Sequence, residues 1–303
     1  MTSLALWRDR RGRTSWLRIA ALALLAWPAA LAAGTAASVG LGPRPWNDLI
    51  HRTGWWALVF LLLSLAITPL RRAGHWAKLI DVRRMIGVGA FAYGAAHLAL
   101  YVVDEKLDLV KVASEIVSRL YLTIGFVALL GVTALAITSN DAMVKRLGGL
   151  RWRQLHQVTY ALGVLALVHF FQQTKADVSV PTLYAGLFVW LIGYRIVARL
   201  NGEGELGTGA LALLAIVSGA LTLVGEAIGI GLAFGVPPLM ILAAAFDPDL
   251  GIRPGWYVLA AGLAVTLLNV VRGWMTRRRA DRTPAWGGAA RPMSPLAKGT
   301  LLP

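Results

Sequence analysis

Long apolar segments alternate with short polar ones along most of the chain, and this alternation predicts helices that cross a membrane. Each apolar segment has about 20 residues, the length needed to span the hydrocarbon core of a bilayer. The first six predicted spans are residues 17–41, 53–70, 85–103, 120–138, 153–171 and 182–199. We therefore expect a polytopic all-α membrane protein whose first unit, residues 17–200, is a bundle of six helices.

The charge of the polar segments predicts the orientation of these spans. Basic residues dominate residues 1–16, residues 71–84 and the segment between the fourth and fifth spans, whereas residues 104–119 mix acidic and basic side chains. Short basic segments remain on the cytoplasmic side of a membrane. The alternation therefore predicts a cytoplasmic N-terminus, and the charge of each polar segment agrees with that orientation.

Beyond residue 200 the pattern predicts a membrane extension of two or three helices, over residues 201–279. Residues 208–246 form one apolar run that is too long for a single span, and Gly235 to Pro238 interrupt it. A last span covers 256–272 and a basic tail follows. A cytoplasmic tail requires an even number of spans, so we expect eight, with 236–246 re-entrant or at the interface. Residues 280–303 are predicted to be a disordered cytoplasmic tail.

Composition narrows the classes of function. Hydrophobic residues make up 57% of the chain and charged residues 15%, which excludes an ordinary soluble enzyme. The net charge of +15 lies in loops and tails between spans, a distribution that argues against a nucleic-acid partner. The chain has no cysteine, which excludes disulfides, thiolate zinc sites, iron–sulfur clusters and covalently attached haem.

Histidines supply the candidate chemistry, because an imidazole inside a bilayer is costly and rare. His75 lies in a basic loop and is expected to be solvated, whereas the other four lie in or at the ends of spans. His97 shares its helix face with Gly94 and Ala90. Such a face either leaves room for a flat ligand or packs closely against another helix.

The two histidines of the fifth predicted span favour haem binding. His156 and His169 are thirteen residues apart, a rise of about 20 Å, so one lies near each membrane face. His97 and His169 lie at similar depth and could hold one b-type haem between two imidazoles. His156 and His169 do not share a face of an ideal helix, so they look toward different neighbours or a local bulge intervenes.

Two further residues are candidates for cofactor contacts. Arg83 precedes His97 by fourteen residues and is expected at the depth of His156, where it is an unusual iron partner, a partner of haem propionates, or an ordinary cytoplasmic arginine. His51, at the outer interface, is a quinone-site donor, a propionate partner or a plain interfacial residue.

Several segments resemble the MsrQ (YedZ-type) haem-binding membrane subunits of the periplasmic methionine sulfoxide reductase system. These subunits belong to the wider group of ferric-reductase-like transmembrane domains. The resemblance covers residues 44–200, about half of the chain. Its matching segments are Ile50 to Gly54, Leu65 to Leu70, Arg83 to Gly87, Phe91 to Tyr101, Ser118 to Gly125, Arg146 to Gly148, Trp152 to Tyr160, and His169.

The resemblance implies a protein of the bacterial inner membrane with one or two b-type haems. Electrons would come from the quinone pool or a cytosolic flavin reductase and pass to a periplasmic molybdopterin subunit of the MsrP type. Flavin mononucleotide (FMN) is a further possible cofactor of such proteins. By motif, His97, His156 and His169 correspond to the haem-binding histidines, and Arg83 stands where four-histidine relatives have a histidine.

The sequence departs from this pattern in two ways that keep other functions open. The third span has one histidine where the related oxidases have two, and no flavin or nicotinamide domain is expected after the spans. The alternative is a direct metalloreductase or oxidase-like reductase of the membrane. A transporter with histidine relays is a third reading, which only Glu226 and the break at 235–238 favour.

Overall fold

The computed structural model describes residues 6–8, 11–38, 40, 42–174, 177–202 and 204–282. Over these residues the chain is helical, and the one extended pairing is an isolated bridge between Arg8 and Thr14. The α-helices are α1 (Trp16–Ser38), α2 (Pro45–Ala73), α3 (Ile80–Asp104), α4 (Leu109–Ser118), α5 (Leu120–Ile137), α6 (Asp141–Leu147), α7 (Gly149–Gln157), α8 (Thr159–Gln173), α9 (Ser179–Leu200), α10 (Thr208–Phe234), α11 (Pro238–Ala244) and α12 (Pro254–Arg282).

Seven of these described helices are long and apolar enough to cross a membrane. They are α1, α2, α3, α5, α9, α10 and α12. The prediction of an all-α polytopic membrane protein is confirmed. The predicted span missing from these seven is the fifth, residues 153–171, whose longest helix, α8, has 15 residues and a length of about 22 Å. The count of eight spans stays a prediction.

The fifth predicted span, residues 153–171, is not one continuous helix. α7 ends at Gln157 and α8 begins at Thr159. Between them the amide of Val158 donates to the carbonyl of Leu155 at 3.1 Å, which is a tighter, 3₁₀-type step. Val158 and Thr159 are both β-branched, a pair that weakens a helix. His156 therefore lies on α7 and His169 on α8.

The predicted loop 104–119 contains a helix that the sequence analysis missed. Asp108 caps α4 by accepting a hydrogen bond from the amide of Lys111 at 2.9 Å. Val112 is buried while neighbouring positions of the helix are exposed, so α4 is amphipathic. At ten residues α4 is too short to register as a membrane span.

The C-terminal extension has two long helices and one short one. α10 ends at Phe234, and the φ of +69° at the next residue, Gly235, lies in the left-handed region that glycine adopts without strain. The short helix α11 occupies most of the segment 236–246 that was expected to be re-entrant or interfacial. α12 continues to Arg282, three residues into the segment 280–303 that was predicted to be a disordered tail. The rest of that predicted tail, 283–303, lies outside the described residues.

A buried ion pair joins two parts of this extension. Glu226 lies within the apolar run of residues 208–246. In the structure, an Nη atom of Arg253 lies 3.5 Å from a carboxylate oxygen of Glu226, whose side chain is only 3% exposed. The pair connects α10 to the segment just before α12, and it explains how an acidic residue is accommodated among apolar side chains.

The packing of the helices against one another determines where the candidate residues lie. α2 packs along α3, α5 packs along α8, and α3 also contacts α5. α9 contacts α2 and α8, while α10 and α12 pack together against α9. Phe60 and Leu65 of α2 are almost fully buried, as are Tyr194 of α9 and Val82 of α3. The helix pair α2/α3 therefore contacts the helix pair α5/α8, and His97 of α3 and His169 of α8 lie at this contact.

Candidate functional site

His97 and His169 come together from different helices. The centroids of the two imidazole rings are 6.2 Å apart and the ring planes are nearly perpendicular, at 83°. His97 is on α3 and His169 is on α8, and both side chains are partly buried. The two residues that the sequence placed at similar depth are therefore neighbours in the bundle.

Each of these imidazoles is held by the backbone of another helix. Nδ1 of His97 donates to the carbonyl oxygen of Ile50 on α2 at 2.7 Å. Nδ1 of His169 donates to the carbonyl oxygen of Tyr121 on α5 at 2.8 Å. A carbonyl only accepts, so Nδ1 carries the proton and Nε2 retains its lone pair. Metal-binding histidines are commonly oriented and polarised by such a bond.

Glycines make these hydrogen bonds possible. Gly54 and Gly125 each come four residues after the carbonyl that accepts from a histidine, so each lies beside that carbonyl on the helix surface. A Cβ atom at Gly54 would be 2.9 Å from Nδ1 of His97, and one at Gly125 would be 2.7 Å from Nδ1 of His169. Each imidazole lies over a glycine, in a space that a larger residue would fill.

This arrangement fits one metal ion held between two imidazoles. An imidazole nitrogen coordinates a first-row metal at about 2 Å, and the ring centre lies about 1 Å further back, so two rings on one ion are about 6 Å apart. Among the described residues no group of three or more His, Asp or Glu side chains could hold a metal. Two axial nitrogens from the protein suit a metal whose other ligands belong to a macrocycle.

His156 occupies a separate position near the arginine-rich end of the bundle. Its ring stacks on Trp152 with the centroids 3.8 Å apart, and its Nε2 is 3.3 Å from the hydroxyl oxygen of Ser139. The charges of Arg83 and Arg84 act on the imidazole. The expectation that Arg83 lies at the depth of His156 stays a prediction, and no second histidine accompanies His156 in the described part of the chain.

The other sequence candidates are placed less specifically. His51 is exposed, and its Nδ1 donates to the carbonyl of Asn47 in its own helix at 2.7 Å. His75 lies 3.7 Å from a carboxylate oxygen of Glu205 in a loop. Gly94, expected either to border a ligand or to pack against a helix, lies against α5, where a Cβ would be 3.1 Å from Leu129.

The sequence analysis missed the residues that orient the histidines. Gly54 and Gly125 appear in the quoted motifs, but their role depends on which helix faces them. The signal that could have drawn attention to them is a glycine inside a span. Arg195 of α9 was also missed, although a charged residue five positions from the end of a span is unusual.

Comparison with known proteins gives the family. Residues 53–167 match the model of the ferric reductase like transmembrane component. The chain is 43% identical to the protein-methionine-sulfoxide reductase heme-binding subunit MsrQ of Xanthomonas campestris pv. campestris (strain 8004) over 167 residues, 55% of this chain and 76% of that protein. It is 40% identical to the MsrQ subunit of Rhodospirillum rubrum over 195 residues, 64% of this chain and 91% of that protein.

This chain belongs to the MsrQ family. The MsrQ of Xanthomonas oryzae pv. oryzae (strain MAFF 311018) is a further relative, 42% identical over 186 residues. The ferric reductase match contains His97 and His156 and ends two residues before His169. Each of these three MsrQ alignments leaves more than a third of this chain unmatched. No solved structure matches the chain.

Proposed function

We propose that this chain is the electron-transfer membrane subunit of a protein-methionine-sulfoxide reductase system and that His97 and His169 hold a b-type haem. Electrons enter from the quinone pool or a cytosolic flavin reductase. They leave to a periplasmic molybdopterin subunit that reduces methionine sulfoxide. The chain lies in the bacterial inner membrane with its N-terminus in the cytoplasm.

The observation that carries this proposal is the pair of imidazoles fixed through Nδ1. Their separation of 6.2 Å matches two ligands of one ion, and the bonds to Ile50 and Tyr121 leave both Nε2 lone pairs available. Family membership supports haem as the carrier of that metal, because the relatives are named heme-binding subunits.

The residues of the chain bind and orient in this mechanism, and they make no covalent change themselves. A haem supplies an iron that gains and loses one electron at a time. Both imidazoles would hold the iron through neutral Nε2, and the backbone bonds at Nδ1 to Ile50 and Tyr121 would keep the two rings in place. Apolar helices around the pair exclude water, which limits the reorganisation that each electron transfer requires.

His156 provides a second relay position. His156 on α7 precedes His169 on α8 by thirteen residues, a rise of at most about 20 Å, in a membrane core about 30 Å thick. Together the two positions would divide the thickness of the membrane into shorter electron-transfer steps. Arg83 lies near His156 and contributes positive charge at that depth. A second haem, or FMN, at this position would continue the path toward the cytoplasm.

Removing the His156 imidazole tests this second position. We expect His156→Ala to lose the cofactor near Arg83 and to keep the haem at His97 and His169, because the two positions share no ligand. Haem and flavin per polypeptide, measured on purified protein, give the readout. A variant with the same cofactor content as wild type, in a protein that binds a single haem, would show that no inner haem site exists.

Reduction and partner binding test the proposed function as a whole. A dithionite-reduced minus oxidised spectrum of the purified protein should show the bands of b-type haem. The protein should also retain a molybdopterin subunit on affinity isolation from its native membrane. A reduced protein that passes electrons to ferric chelates or oxygen, and not to that subunit, would instead favour a direct metalloreductase or oxidase-like reductase.

A further inference from the structure

Three arginines gather at one end of the helix bundle, beside the position of His156. They are Arg71 near the end of α2, Arg83 in the first turn of α3, and Arg195 near the end of α9. The guanidinium of Arg83 is largely enclosed by protein, and the charges of Arg195 and Arg71 both act on it. We call these three residues the arginine cluster.

No acidic residue is among the described groups whose charges act on Arg83 or Arg195. Tyr160 and other arginines are the polar groups that act on Arg83. Two nearby acidic residues are paired with other side chains. Asp141 lies 2.5 Å from an Nη atom of Arg84, and Glu205 lies 3.7 Å from His75. The positive charges of Arg83 and Arg195 are therefore uncompensated by carboxylates among the described residues.

Arg195 is fixed rigidly in this cluster. Its Nε donates to the hydroxyl oxygen of Tyr160 at 3.0 Å, and its two Nη atoms donate to the carbonyls of Leu191 and Leu65, each at 2.7 Å. The guanidinium also lies over the ring of Tyr160, 5.3 Å from its centroid. A long side chain held by three helices in this way has already lost its rotamer freedom, which favours binding.

The other two arginines offer donors that the protein does not use. Arg83 makes no hydrogen bond or ion pair in the described part of the chain. Nε of Arg71 is buried and has no hydrogen-bond partner there. A buried donor without an acceptor is costly, and more so when it carries charge. Guanidinium groups suit carboxylate and phosphate because their planar donors bind two oxygens at once.

The position of the cluster indicates which anion it would bind. Arg83 precedes His97 by fourteen residues of α3, a rise of about 21 Å, so the cluster is too distant to contact a haem between His97 and His169. It is close to His156, on whose imidazole the charge of Arg83 acts. An anionic group bound here belongs to a second molecule at this end of the bundle.

We propose that Arg71, Arg83 and Arg195 bind the oxyanion group of a second redox cofactor, either the two carboxylates of a porphyrin or the phosphate of a flavin mononucleotide. The inference rests on the proposed function, since it assumes a first haem at His97 and His169. It adds a site of three arginines, two of which were not candidates from the sequence.

Substitution of the cluster tests the proposal through cofactor content. Arg83→Gln and Arg195→Gln each remove charge-assisted hydrogen bonds, so we expect the affinity for the second cofactor to fall about tenfold or more. Arg195→Lys should restore it only in part, because an ammonium cannot bind two oxygens side by side. Arg199→Gln is the matched control, since Arg199 lies one turn further along α9, is exposed, and contributes the same charge to this end.

Haem and released flavin per polypeptide are measured for each purified, monodisperse variant. A loss of half the haem identifies porphyrin carboxylates, and a loss of flavin with unchanged haem identifies a flavin phosphate; either supports the proposal. Arg71→Gln provides an independent test if Arg195→Gln does not fold, because Nε of Arg71 makes no bond in the protein. Wild-type contents in all folded variants would overturn the proposal. A wild type with one haem and no flavin would overturn it and leave the proposed function intact, whereas a wild type without haem would overturn that function itself.

Discussion

Replacing His97 with alanine is expected to remove the haem held with His169. Loss of the outer hydrogen-bond partner of a metal-binding histidine already costs about 10- to 100-fold in affinity, and loss of the ligand itself costs at least as much. Haem per polypeptide at the His97/His169 position should therefore fall below about a tenth of the wild-type value. His169→Ala should have the same effect, since both imidazoles would hold the same iron. The readout is the pyridine haemochrome spectrum of purified protein.

His75→Ala is the matched control for these variants. His75 lies in a loop beside Glu205 and contacts neither His97 nor His169. We expect this variant to retain the full wild-type haem content. Full retention of haem in His97→Ala, or loss of haem from His75→Ala alone, would contradict the assignment of the two ligands.

A single methyl group added at Gly125 is expected to displace His169. The new Cβ atom would be 2.7 Å from both Nδ1 and Cε1 of the imidazole, closer than side chains approach each other, so the ring would have to move. Its hydrogen bond to the carbonyl of Tyr121 would then break. The expected cost is about 10- to 100-fold in haem affinity, measured by titrating apoprotein with haem.

The Gly125→Ala variant separates ligand geometry from helix stability. Alanine is a better helix former than glycine by about 1 kcal/mol, so the substitution does not weaken α5 itself. Gly87→Ala serves as control, because the nearest atom to a Cβ at Gly87 is 4.0 Å away, on Ser64. Equal haem affinity in the Gly125 and Gly87 variants would show that the close approach of His169 to α5 has no part in binding.

Much of the fold could be predicted from the sequence because a bilayer restricts the length and the polarity of a membrane-spanning helix. Hydrocarbon thickness sets the length of each apolar segment, so α2, α3, α5 and α9 begin and end within a few residues of the predicted spans or extend them. α4 was missed because ten amphipathic residues lie below that length. The break at Val158 depends on one altered hydrogen bond, which has no hydropathy signal.

The candidate site was only partly predictable, for a related reason. The high cost of imidazole in a membrane singles out His97 and His169 without any knowledge of helix pairing. Gly54 and Gly125 acquire their role only when α3 packs on α2 and α8 packs on α5. Arg195 likewise donates to Leu65, a residue 130 positions away in sequence. Contacts of this kind are determined by packing between helices, which periodicity within one helix does not encode.

Electron paramagnetic resonance of the oxidised wild-type protein, with haem counted per polypeptide on the same sample, tests the central claim most directly. Two axial imidazoles make ferric haem low-spin, and ring planes at 83° predict the highly anisotropic signal of perpendicular axial ligands. We expect at least one such haem per chain and its disappearance in His97→Ala. A protein purified without haem from haem-replete cells, or a wild-type haem that is only high-spin, would contradict the account.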